Sequence, residues 1–64
     1  MPASYAVVIS TTTKAREFPF EGEGAARDAA NQLWVWAKQA GEHGTITLYR
    51  RDGTKWVMVQ HETV

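Results

Sequence analysis

Few side chains in this 64-residue chain are spaced to do chemistry. His43 and His61 each sit beside a glutamate, as Glu42-His43 and His61-Glu62. A metal site needs three or four convergent ligands, and two histidines from a loop and a tail do not supply them. There is no cysteine, so thiolate ligands and disulfides are excluded. Gly22 and Gly24 lack the lysine and spacing of a phosphate loop. No serine–histidine–carboxylate set stands out, because the acids and histidines fall in expected loops and termini. The expectation is a protein that is not an enzyme and carries no metal or cofactor.

Recognition is a better match to the residues present. Tyr49, Trp56 and Met58 are large, and they fall on expected strands. Aromatic residues and methionine are enriched at protein interfaces, and tryptophan and tyrosine dominate their hot spots. With Thr47 and Val8 beside them, they form the candidate protein-binding set. Lys14, Arg16, Arg50, Arg51 and Lys55 form a second set, near two hairpin tips. Beside Tyr49 and Trp56 they suggest phosphate contact with base stacking. Against that, seven basic and seven acidic residues cancel, so the chain as a whole does not attract nucleic acid or anionic membrane. Solvated strand ends are the plainer account of these cations. An exposed cross-strand pair that merely steadies a hairpin is the plainer account of the aromatics.

The elements that position these residues are legible. Thr45–Tyr49 alternates polar and apolar, and Lys55–Gln60 is rich in strand formers. Asp52-Gly53 between them is the usual signal for a type I′ turn. With that turn centre, Arg51 faces Thr54, Tyr49 faces Trp56, Thr47 faces Met58, Leu48 faces Val57 and Ile46 faces Val59. One hairpin face is then aliphatic, and the other carries Tyr49, Trp56 and Met58. Tyr5–Ser10 and Lys14–Phe18 form an earlier hairpin turning near Thr12 and Thr13. Val7 then opposes Phe18, Ile9 opposes Arg16, and Tyr5 meets Phe20 just beyond the ladder. Pro19 ends the second strand or marks it as an edge. On this hairpin Ala6, Val8, Ser10, Ala15 and Glu17 form the outer face.

After the acidic connection Glu21–Gly24, Ala25–Ala40 reads as a helix that stops at Gly41. Ala26, Ala30, Leu33, Ala37 and Ala40 recur along one face. That alanine stripe lets the helix lie close to a sheet but brings little bulk. At least one of Trp34 and Trp36, on opposite flanks, is expected to complete the core. The expected architecture is α+β, ββαββ: a four-stranded antiparallel sheet in a single domain over 1–64, with one helix on one face. Leu48, Val57, Ile46, Val59, Leu33, Ala37, Val7, Ile9 and Phe18 are the expected core. The other sheet face is left open.

The layout resembles small phage-encoded proteins that disable host machinery, namely anti-CRISPR proteins and phage inhibitors of host RNA polymerase. The resembling features are the leading hairpin at Tyr5–Phe18, the single helix, and the closing Asp52-Gly53-Thr54-Lys55-Trp56-Val57 segment. What the resemblance implies is inhibition by occupying a surface of a large bacterial protein or nucleoprotein complex. Many such proteins are strongly acidic mimics of DNA; this neutral chain departs from them and favours steric occlusion. The alternatives are a small nucleic-acid-binding domain and a structural homodimer whose open faces pair. Met1-Pro2-Ala3-Ser4 has no basic start or long apolar run, so neither a signal peptide nor a membrane span is expected. The default location is the cytoplasm, that of a bacterial host for a phage-type protein.

Overall fold

The computed structural model describes residues 3–64; Met1 and Pro2 of the leader reading lie outside them. The order is β1 (Tyr5–Thr11), β2 (Ala15–Phe20), α1 (Glu23–Ala40), β3 (Gly44–Asp52) and β4 (Lys55–Thr63). All four strands are antiparallel in one sheet of order β2-β1-β3-β4. This is the expected ββαββ architecture, with β1 and β3 at the centre.

The first hairpin has the expected register: Val7 opposes Phe18, Ile9 opposes Arg16, and Tyr5 opposes Phe20. Its strand runs through Pro19 to Phe20, which the sheet tolerates because β2 is an edge. Its turn lacks glycine and needs none. The Thr11 hydroxyl accepts the amides of Thr13 (3.3 Å) and Lys14 (3.0 Å), and the Thr11 amide reaches the Lys14 carbonyl at 2.7 Å. Side-chain acceptance of turn amides is a standard use of threonine.

Helix α1 begins two residues earlier than expected, at Glu23, and places that carboxylate in its first turn and Lys38 in its last. Both charges complement the helix dipole. Gly41 ends it in the left-handed region at φ 72°, and the Glu42 amide donates to the Ala37 carbonyl at 2.9 Å. That bond is the longer one of a Schellman cap. Ala26, Ala30 and Ala37 are buried and Leu33 is half-buried, while Ala40, at the end of the stripe, is exposed. Trp34 packs on the core; Trp36 stays more exposed, with the Lys14 ammonium 4.6 Å from its ring centroid.

The second hairpin corrects the expected register. The turn residues are Gly53 and Thr54, closed by Asp52 opposite Lys55. Only Gly53 has positive φ, 62°, so the turn has the glycine-first arrangement of type II′, whereas type I′ needs both central residues positive. Arg51 therefore opposes Trp56, Arg50 opposes Val57, and Tyr49 opposes Met58. Past Tyr49 the ladder skips Val59 and resumes with Leu48 opposite Gln60, Thr47 opposite His61 and Ile46 opposite Glu62. Val59 is thus the extra residue of a β-bulge.

The core cluster is Val7, Ile9, Ala26, Ala30, Ile46 and Leu48, with Phe18, Leu33 and Trp34 packed against it. Tyr5, Phe20 and Val64 join its rim. Val57 and Val59, both expected inside, are exposed at 38% and 37%. The helix lies against β1, β2 and β3, and β4 falls largely outside its footprint. One polar link crosses that gap, from Arg27 Nη1 to Gln60 Oε1 at 3.1 Å.

Candidate protein-contact surface

The sheet face opposite the helix is built by strand alternation. Val7, Ile9, Ile46 and Leu48 point into the core, so Ala6, Val8, Thr47 and Tyr49 point the other way. In the ladder Ala6 lies opposite Tyr49, and Val8 opposite Thr47. Trp56 shares this face: with Ala6, Val8, Glu17 and Tyr49 it lines a shallow recess of about 170 Å³. Ala6 is the floor, only 3% exposed, because its small side chain sits among larger neighbours. Trp56 is 46% exposed and Met58 56%, the highest value among the large apolar side chains of the described residues.

The structure brings Val8, Tyr49, Trp56 and Met58 to one side of the sheet, as expected. The partner relations differ, since Tyr49 opposes Met58 and not Trp56. Thr47 is a poor contact residue. It is 6% exposed, and its hydroxyl lies 3.0 Å from His61 Nδ1. His61 is therefore the neighbour that the sequence reading missed; its pairing with Thr47 is visible only once the bulge is known. Ala6 and Glu17 were placed on the outer face by alternation, but their part in a recess needed the neighbouring strands in order.

The basic residues do not converge. The β1–β2 turn and the β3–β4 turn lie at opposite ends of the sheet, because Tyr5 pairs with Arg50 while Thr11 pairs with Gly44. Lys14 and Arg16 lie on the helix side, where they line an apolar groove of about 400 Å³ with Ile9, Phe18, Leu33 and Trp36. Arg50, Arg51 and Lys55 cluster at the other end, where Arg51 Nε donates to the Gly53 carbonyl at 3.0 Å. A continuous cationic track across the open face is not formed by these five side chains.

At the β1–β2 turn, Glu42 accepts hydrogen bonds from Thr13 and, at 3.0 Å, from Thr11. These bonds, led by Thr13, with Lys14 and His43 nearby, hold its carboxyl below the usual carboxylate range. Among the described residues there is no cluster of three or more histidine, cysteine, aspartate or glutamate side chains able to hold a metal ion. Among the same residues no helix is long and apolar enough to cross a membrane. Comparison with protein-family models, curated proteins and solved structures returned no match to this chain.

Proposed function

We propose that this chain is a small protein-binding module that docks a partner on its open sheet face, with Trp56 as the anchor. It acts by occupying a surface, without catalysis. The observation that carries the reading is the exposure of Trp56 and Met58 beside Tyr49, around a recess floored by Ala6. Such a recess accepts one partner side chain, and large aromatics at its rim supply contact area at low entropic cost. The partner class follows from the resemblance to phage inhibitors: a large bacterial protein or complex, blocked sterically in the cytoplasm. A chain of zero net charge with mainly apolar side chains around the recess suits that mode better than charge mimicry.

The test is capture from a bacterial lysate with wild-type chain and Trp56→Ala as parallel baits, identification by mass spectrometry, and titration of the captured protein. Trp56→Ala is expected to lose about 2 kcal/mol of binding, roughly thirtyfold in Kd. Its folding should fall by at most about 1 kcal/mol. Unfolding of Trp56→Ala would place Trp56 in the core and remove the anchor. Submicromolar, steeply salt-dependent binding to short nucleic acids, lost on replacing Arg50, Arg51 and Lys55, would transfer the function to nucleic-acid recognition.

A further inference from the structure

We infer that the free edge of β4 pairs with β4 of a second copy of this chain, antiparallel about a two-fold axis near Val59, joining two sheets into one of eight strands. This concerns the edge of the sheet and stands apart from the partner on its open face.

The first observation is the backbone. Gly44 and Val64 exchange both N–H···O bonds, at 3.4 and 2.9 Å. Alternation along an antiparallel ladder then directs the amides and carbonyls of His61 and Thr63 away from β3. Counting from the closing pair Asp52 and Lys55, the same alternation directs those of Trp56 and Met58 outward. With β4 last in the sheet order, these groups have no strand partner among the described residues.

The second observation is how differently the two edges are guarded. Along β2 stand Arg16, Glu17 and Pro19, all exposed, which are usual protections against strand addition. Along β4 the residues Trp56-Val57-Met58-Val59 are uncharged, apolar and exposed at every position. Strands apolar on both faces are characteristic of sheet interiors.

Two features select a second copy as the occupant. Lys55 and Glu62 stand near opposite ends of β4, so antiparallel pairing sets each Lys55 opposite or diagonal to Glu62 of the other copy. The match occurs twice, by symmetry. The bulge at Val59 also lies at the midpoint of Lys55–Thr63. A two-fold mate brings the same local offset to the axis, whereas a regular strand would meet it out of step. The helix leaves β4 largely uncovered, so a second strand has room. Both open faces then lie on one side of the joined sheet, and each Trp56 recess remains free.

The experiment is sedimentation equilibrium of the full chain from micromolar to millimolar concentration, with circular dichroism as a check on folding. The wild type is expected to reach the mass of two chains. Lys55→Glu and Glu62→Lys should each raise the dimer dissociation constant about tenfold, through two lost ion pairs. The double variant Lys55→Glu/Glu62→Lys should restore it. Met58→Pro removes an outward amide while leaving the β3 ladder intact, and should give monomer. If Met58→Pro does not fold, the charge series decides alone. A wild type that remains monomeric at millimolar concentration overturns the inference. So does a dimer indifferent to the charge series, or one lost only with Trp56→Ala, which would mean that the open faces pair instead.

Discussion

Val7 and Val59 are the same residue type on strands of the same sheet, yet Val7 is fully buried and Val59 is 37% exposed. The two hairpins they belong to differ in cover. Both strands of the first lie under the helix, as does β3, but β4 does not. Burial here is set by place in the sheet order: the buried strand residues all lie on the central strands β1 and β3. The uncovered strand also carries four large apolar residues left exposed, Trp56, Val57, Met58 and Val59. An apolar strand left outside the core is either a hazard or a contact surface.

The contrast is broken most forcefully at the centre. Leu48→Ala, at a fully buried position, should cost about 2–5 kcal/mol in chemical denaturation through the cavity it leaves. Val59→Ala should cost less than about 1 kcal/mol, since half-solvated methyls forfeit little. Equal losses at the two sites would mean that β4 is covered in solution. Next in size is Gly44→Ala. A β-carbon there would overlap the Ser10 carbonyl oxygen and lie 2.7 Å from Thr11 Cα, so β1 and β3 must part locally. The expected cost is about 1–3 kcal/mol, read from the shift in thermal midpoint.

Deleting Val59 sharpens the comparison on the edge itself. Without it Met58 still meets Tyr49 and Gln60 still meets Leu48, now in one unbroken ladder. Stability should change by no more than about 1 kcal/mol in chemical denaturation, because both flanking pairs are kept. The smallest effect is expected at Glu42. Its carboxyl titrates below the ordinary value near 4.5. A lowered folded-state value means that its stabilisation is full above the unfolded value and is lost as pH falls through the folded one. Glu42→Gln should therefore unfold slightly earlier than wild type at neutral pH, and the difference should close on acidification.

The first hairpin was readable because its loop has the two residues expected, Thr12 and Thr13, so the pairs counted outward from it hold although Tyr5–Ile9 is apolar throughout. The second offered a stronger turn signal, yet the pairs counted from it do not hold. Trp56-Val57-Met58-Val59 is apolar at each position, so neither face is marked and nothing in it announces a bulge. The shift from an Asp52-Gly53 to a Gly53-Thr54 turn moves each partner by two residues. A shift of two preserves faces, which is why Trp56 and Met58 still fall beside Tyr49 although their partners changed. The skipped Val59 then reverses the faces beyond it, bringing Gln60 and Glu62 to the helix side and His61 to Thr47. Pro19 pointed to either a strand end or an edge, and the edge is what the sheet shows, but no comparable residue marks β4. The gathering of Ala6, Tyr49 and Trp56 around a recess depends on the order of strands, which side-chain pattern does not encode.

The strand order also dictates how the protein must be made. Each hairpin closes locally, but the central β1–β3 ladder joins segments on either side of the whole helix. Such non-local pairing is slow, since a long loop must be closed before its contacts form. Val7 and Ile9 gain their core partners Ile46 and Leu48 only when that ladder closes. Until then the first hairpin has an open inner edge at β1. Any delay in β3 pairing lengthens that exposure and favours misassociation over folding.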